Sequence, residues 1–600
     1  MRKGQWNSLS DGWLALRPKN KNQASNFMEK RHLKGLSLMS VSLIALAGCG
    51  GIGKMNKYVE NIKYTVDPDP LIVQGDSVAV NINGNFPGKY FYKKAQVELT
   101  PTLVYTGGET AFKTAYFQGE GAVGNNTVIP YETGKAFNYS HKVAYTPSME
   151  TSELMVKILG KQGKDGKKQL EFTPVKIADG VITTPYLVVS DDKVLLAKDA
   201  FQRITDHSQD ATINYLVNSS VVRPTELKDV DVKALADFIK TMKGNVNLAA
   251  KGVSIDAWAS PEGELSKNEN LADDRAKSAK SWVKGELMRA KNDSAKADAF
   301  YTLNPRGEDW EGFKRAMQAS TTVPDKDLVL RVLEMYPDLS KREEEIRNMA
   351  ATYKEIAEQI LPQLRRSEVK LNYQRIGKTD AQLTEMSRTM PDSLNVEELL
   401  FAATLTNDLN EQLRIYKETE RVHPNDHRAA NNVGYVYMLQ NKLDEAAAQF
   451  TKANGIQDNP ISTNNLGVVA RLKGDRKKAT EMYTKAMAAG PEVKYNQGII
   501  DIQNGNYSSA SSNFGGTKSV NAALAKLLGG DAAGAQSILD GATDKDTATG
   551  HYLAAIIAAR QSNCAGAASS LGMAIQKDGG LRDKALKDLE FRNCKGSLGL

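Results

Sequence analysis

Three sets of residues in this 600-residue sequence have types and spacings that could do chemistry, and none of that chemistry is catalytic. Asn432, Asn465 and Asn496 recur at intervals of 33 and 31, each two residues before a glycine. A carboxamide donates and accepts at once, so asparagines at a regular interval can clamp a peptide backbone, or they can satisfy neighbouring turns in a structural array. Arg275 follows a loop carrying Ser260 and Glu262, with Asp256 just before it. An arginine forks onto a carboxylate and a loop carboxylate pairs with an ammonium, which together would hold a zwitterion; the alternative is a surface arginine paired with Asp273 or Asp274. Cys564 and Cys594, thirty residues apart, could form a disulfide or stay as two buried thiols. The six histidines, His32, His141, His207, His423, His427 and His551, give no metal-ligand spacing. The run from Gly84 to Lys89 is one residue short of a phosphate loop and lacks its Ser/Thr. No nucleophile elbow or kinase signature is present. The expectation is no enzyme, no metal and no cofactor.

The third cysteine, Cys49, belongs to a leader. Residues 1–49 hold eight basic and two acidic residues, and from Met28 they run from a basic stretch through a short apolar run into Leu46-Ala47-Gly48-Cys49. That order is a secretory signal, too short for a confident membrane span. Its end resembles the lipobox of bacterial lipoproteins. The resemblance implies cleavage before Cys49, a covalent lipid on Cys49 and a true start at Met28. With no acidic cluster after the cysteine, the expected location is the periplasmic face of the outer membrane. The leader carries +6 of the formal +7, so the mature chain is nearly neutral and gives no electrostatic support to nucleic-acid binding.

The elements that position these residues fall into three expected domains. Over 50–205 apolar residues alternate between Gly, Pro and Asn turns: Val78, Val80 and Ile82 share one face, as do Ala95, Val97 and Leu99, and 154–159 and 186–189 read as further strands. This predicts an antiparallel β-sandwich, immunoglobulin-like, with Phe86, Tyr90, Phe91 and Tyr92 either in its core or on a binding edge. Over 206–375 strand and helix patterns alternate: strands at 213–217, 253–257, 299–303 and 364–371, helices at 230–242 and 267–289, and a helical insertion before the last strand. Trp258, Trp282 and Trp310 all fall here and read as core before sugar-stacking residues.

This order, with Gly263, Asn268, Leu271, Arg275 and Ala276 at matching spacing, resembles the OmpA-like, peptidoglycan-associated domain. The resemblance implies an α+β fold and a site for the diaminopimelate of a peptide stem, held by a loop aspartate and the helix arginine. Arg275 matches that arginine, Ser260 stands at the aspartate position, and Glu262 is the nearest carboxylate in the same loop. Peptidoglycan-binding candidates are therefore Ser260, Glu262, Asn268 and Arg275.

After a linker at 376–392, residues 393–600 repeat. Gly434, Gly467 and Gly498 are each followed by alanine twelve residues on and by an aromatic four further, at Phe450, Tyr483 and Phe514. Ala535 with Leu539, and Ala567 with Leu571, continue the phase. The pattern is similar to tetratricopeptide repeats, which implies an all-α solenoid whose first helices line a concave groove, with Asn432, Asn465 and Asn496 as partner-groove candidates. The whole reads as a multidomain outer-membrane lipoprotein. It would act as a periplasmic adaptor that binds envelope, secretion or assembly proteins through its repeats, outer-membrane lipid through acylated Cys49, and peptidoglycan through its OmpA-like domain. The rival readings are a purely structural envelope anchor and a surface-displayed binding lipoprotein that uses the β-module.

Overall fold

The computed structural model describes residues 51–163 and 166–600. The leader and Cys49 lie outside the described residues. The chain divides into two compact units, one running to Ala197 and resuming at Ala430, the other covering Lys198–Ala429.

In the first unit two β-sheets pack face to face. One centres on Ser77–Pro87, flanked along its length by Lys63–Asp67 and Gly134–Ala144; the other centres on Ala95–Tyr105 and Ser152–Gln162. Period-two alternation turns Val78, Val80 and Ile82 inward against Leu103 and Leu154 of the facing sheet. A second core gathers Phe86, Phe91, Phe117 and Phe137 beneath Ile52 and Met55 of the helix Ile52–Lys57. Phe86 and Phe91 are thus core residues with Tyr90 and Tyr92 packed against them, not a binding edge. Two pairings depart from the purely antiparallel expectation. Leu71–Gln74 runs parallel to Val181–Ile182, and Ala115–Gly119 runs parallel to Thr127–Ile129. The 186–189 strand is not formed: Thr184–Leu187 is a 3₁₀ turn, and the sandwich ends at Ile182 rather than at 205.

The rest of this unit is an array of helical hairpins. From Ala430 it contains most of His427–Leu439, then Leu443–Ile456, Pro460–Leu472 with Arg476–Lys485, Pro491–Gln503 with Tyr507–Phe514, Val520–Leu528 with Ala532–Asp540, and Ala548–Arg560 with Cys564–Lys577. The repeat pattern has a direct physical cause. A Cβ on Gly434, Gly467 or Gly498 would stand 2.7, 2.6 or 2.9 Å from the ring of Phe450, Tyr483 or Phe514. Each glycine is therefore the seat on which the aromatic of its own hairpin lies. Ala446, Ala479 and Ala510 are buried where the paired helices touch. Gly467→Ala is expected to cost about 1–3 kcal/mol, the price of overpacking, which a urea titration of the full chain would read.

The array packs back on the sandwich within the same unit. Arg476 pairs with Asp76 at 2.6 Å, Gln74 Nε2 donates to the Gly505 carbonyl at 3.0 Å, and Arg592 pairs with Asp69 at 3.1 Å. At its end Cys564 and Cys594 are bonded, with Cα atoms 5.2 Å apart across a separation of 30 residues. By loop-closure entropy, reduction is expected to remove about 3–4 kcal/mol, seen as a fall in Tm of the reduced against the oxidised protein.

The second unit is built on a four-stranded sheet in the order Ile204–Asn214, Arg366–Ile376, Leu248–Ala259, Tyr301–Glu308, antiparallel except for the last pair. The helices Val230–Thr241 and Leu265–Arg289 share one core with the sheet residues Ile213, Val253, Ile255, Val369 and Leu371. The insertion 310–364 forms helices with their own core around Phe313, Val329, Ile356 and Leu361. The first strand begins at Ile204, so the expected boundary at 205/206 falls inside it. The expected linker 376–392 contains the helix Asp380–Thr389, opened by a capping box between Thr379 and Gln382. The helices Val396–Thr404 and Leu409–Val422 follow in the same unit.

Candidate functional site: the asparagine groove

Within the first unit, Asn432, Asn465 and Asn496 sit in the middle of first helices of successive hairpins. Two residues on a helix turn through about 200°, so an asparagine two places before the glycine faces away from the partner helix and into the concave side. Asparagine is a poor helix-interior residue, and here its amide is bound outside the helix. Each carboxamide grips both backbone groups of one residue of the chain itself. Asn432 Oδ1 accepts from Ala197 N and its Nδ2 donates to Ala197 O, both at 2.9 Å. Asn465 does the same to Leu195 at 2.8 and 2.8 Å, and Asn496 to Lys193 at 2.7 and 2.9 Å. Asn521 adds a fourth clamp on Val189, at 2.8 and 2.8 Å.

The segment 188–197 is therefore an extended strand laid along the groove, running against the order of the repeats. Its alternate residues 193, 195 and 197 present their backbone to the asparagines. Preceding asparagines reinforce them: Asn431 Nδ2 donates to Leu195 O at 3.1 Å and Asn464 Nδ2 to Lys193 O at 3.0 Å. Their own oxygens accept from Asn465 and Asn496 at 3.0 Å, which joins the clamps into a ladder.

Side chains fix the register. Asp192 is forked onto Arg471, both side chains being almost wholly buried (4% and 3% exposed). Burial pushes the Asp192 carboxyl up, against the pull of the guanidinium. Asp191 accepts from Tyr495 Oη at 2.6 Å and from Asn521 Nδ2 at 2.8 Å. Lys193 lies over the Tyr495 ring at 4.4 Å, and Val194 packs against the apolar layer of Val468 and Ile500. The sequence pattern singled out three of the four clamps. It missed Asn521, which comes 25 residues after Asn496 instead of about 32, and it missed the occupant. The Asn431-Asn432 and Asn464-Asn465 doublets, and the Asp191-Asp192 pair inside an apolar stretch, are the signals that point to them.

The other candidate cluster lies in the second unit and is closed on itself. Arg275 is 1% exposed; its Nε, Nη1 and Nη2 donate to the carbonyls of Ser219, Trp258 and Leu216 at 3.0, 2.8 and 3.2 Å. Burial lowers its pKa to about 10. It is neither a surface arginine paired with Asp273 or Asp274 nor a guanidinium offered to a ligand. Glu262 accepts from Ser260 Oγ at 2.6 Å and from Arg365 Nη2 at 2.7 Å. Asn268 Nδ2 donates to the Glu262 carbonyl and to Glu308 at 3.0 and 2.8 Å, and Asp256 is paired with Arg306. The diaminopimelate reading of Ser260, Glu262, Asn268 and Arg275 therefore needs correcting: an internal arginine, Arg365, already sits on the loop carboxylate. Trp258 and Trp310 are half-buried under Arg366 and Arg342, and Trp282 packs against the sheet core. Among the described residues no group of three or more His, Cys, Asp or Glu side chains could hold a metal ion, and no helix is long and apolar enough to cross a membrane.

Comparison with known proteins bears on the helical array. No family model matches the chain. A curated relative, the BBSome complex member BBS4 of Bos taurus, is 29% identical over 108 residues, 18% of this chain and 21% of that protein, so the chain spans about a fifth of that relative's length. Among solved structures, a tetratricopeptide repeat protein from Parabacteroides merdae is similar at 15% identity and a TM-score of 0.27, covering 36% of this chain and 91% of its own. The PilF protein of Pseudomonas aeruginosa gives 15% identity and 0.28, over 36% and 99% of the two chains. YrrB, described as a TPR protein with an unusual peptide-binding site, gives 19% and 0.22, over 34% and 100%. At such TM-scores the superpositions carry no argument; the helix pairing and the glycine–aromatic seats establish the solenoid by themselves.

Proposed function

We propose that the chain is a non-catalytic scaffold of the bacterial envelope, tethered to the outer membrane by lipid on Cys49, whose repeat array works by gripping extended polypeptide backbone. The observation that carries this reading is the ladder of four bidentate asparagines closed on 188–197. A surface made to hold residues through their N–H and C=O groups recognises strand-like protein, not a small molecule. In the chain as folded, that strand is the connection leading out of the sandwich. The array thus acts first as an internal clamp on that connection, and envelope or secretion proteins are the partners a scaffold so built would carry. The sheet order of 204–376 and the helix Leu265–Arg289 support an OmpA-like fold for the middle of the chain. Peptidoglycan is left out of the proposal because Arg275 and Glu262 are spent on internal partners.

The test is made on the full-length protein in its native envelope. Mass spectrometry of the mature N-terminus is expected to find an acylated Cys49, and Cys49→Ala is expected to leave the outer-membrane fraction. An unmodified Cys49, or unchanged fractionation of Cys49→Ala, would contradict the tether.

A further inference from the structure

A cavity of about 310 Å³ opens beside the first described helix, lined by Lys54, Tyr58, Asn61, Lys63, Lys89 and Tyr90 around the Pro87-Gly88 turn. Its three lysines come from three segments: the helix Ile52–Lys57, the start of the strand Lys63–Asp67, and the turn after Ser77–Pro87. All three are exposed, and among the described residues none of them forms an ion pair with a carboxylate. The nearby acids of these segments, Glu60 and Glu132, are not part of the lining.

The turn that supplies Lys89 is built at a cost. Lys89 has φ 63°, a left-handed conformation that favours glycine, and its N–H is tied to the Tyr131 carbonyl at 2.5 Å. Gly88 before it must lack a side chain, because a Cβ would stand 2.4 Å from the Glu132 carbonyl. The backbone of a lysine is thus fixed at the rim where a glycine would be easier. Lys54 is only five residues from Cys49, at most about 17 Å of extended chain. Any lipid on Cys49 would keep this cavity at the level of the headgroups.

We propose that the cavity binds the phosphate of an anionic lipid headgroup, and so holds the start of the mature chain flat against the membrane. The proposal rests on the lipid-anchor reading of Cys49, but its chemistry does not require the lipid: three lysines without a carboxylate partner line one cavity, together with Asn61 and Tyr58, and offer it to an anion. Each lysine near an anionic surface strengthens attachment about fivefold, and three of them roughly 100-fold. The effect is expected to shrink as salt shortens the screening length.

The test uses the mature chain from Gly50, exported without its lipid, in co-sedimentation with vesicles of phosphatidylcholine alone or mixed with phosphatidylglycerol. Binding is expected only to the phosphatidylglycerol vesicles, with about fivefold loss for Lys54→Gln, Lys63→Gln or Lys89→Gln alone and near-complete loss for the triple variant. The triple variant's Tm and circular dichroism establish that it is folded. Equal binding of wild type and a folded triple variant, or no preference for phosphatidylglycerol, overturns the site. Inorganic phosphate is a separate arm. If it binds without vesicles and, at millimolar concentration, abolishes sedimentation, the cavity takes a free anion and the membrane assignment falls. Headgroup binding with an unmodified native Cys49 would leave the site standing and remove the anchor; an acylated Cys49 without headgroup preference would do the reverse.

Discussion

Asp192→Ala is expected to destabilise the first unit by about 3–5 kcal/mol, because it leaves the Arg471 guanidinium buried with no counter-charge. The pair is closed at the bottom of the groove, where neither side chain meets water to any useful extent. Truncating the acid removes the attraction and keeps the whole desolvation cost of the base. Asp192→Asn is expected to lose most of the same free energy, since it preserves shape but not charge. Asp192→Ala combined with Arg471→Leu is expected to recover much of the loss, because an apolar replacement of both partners of a buried pair is often neutral. Urea titrations of these variants of the full chain check the prediction. A cost below about 1 kcal/mol for Asp192→Ala, the range of an exposed pair, would mean that 188–197 is not seated in the groove.

Arg275→Ala is the second large effect, expected at roughly 3–6 kcal/mol against the second unit. The guanidinium is the common partner of three carbonyls on two segments, Leu216 and Ser219 of one turn and Trp258 of the strand Leu248–Ala259, beneath the ring of Tyr215. Without it the half-buried carbonyls of Ser219 and Trp258, and that of Leu216, which keeps the Ser219 N–H, each lose a charged donor, at about 1–2 kcal/mol each. Arg275→Lys is expected to rescue little, because a single ammonium cannot reach three carbonyls placed for a planar fork. A ligand-binding arginine on a surface would behave otherwise, with Ala and Lys both near neutral in Tm and only binding affected. Differential scanning calorimetry of the two variants separates the roles.

What could be read from the sequence follows from what each feature depends on. Local periodicity was enough for Val78, Val80 and Ile82, for the helix Val230–Thr241, and for the seats made by Gly434, Gly467 and Gly498. In each case the signal and its partner lie within one strand, helix or hairpin. The ladder was half legible, since an asparagine at a fixed offset from a glycine shows in the chain. Its occupant was not, because 188–197 has neither the alternation of a sheet strand nor a turn signal; its conformation is imposed by residues some 240–330 positions away. The Arg275 environment was illegible for the same reason: three carbonyls carry no side-chain signature, and Arg365 meets Glu262 across a separation of 103 residues that includes the whole insertion. The helix Asp380–Thr389 is legible in the chain, its Thr379 and Gln382 capping box standing in plain sequence.

The central claim is that the repeat groove grips 188–197 by its backbone, and amide hydrogen exchange of the full chain tests it directly. The amides of Val189, Lys193, Leu195 and Ala197 are each bonded to one asparagine oxygen. They are expected to exchange with the slow amides of the array, and those of Lys193, Leu195 and Ala197 to be released together in Asn432→Ala/Asn465→Ala/Asn496→Ala, while the helices stay protected and Val189 keeps its bond to Asn521. Exchange of these four amides in the wild type as fast as in an unstructured peptide would contradict the account.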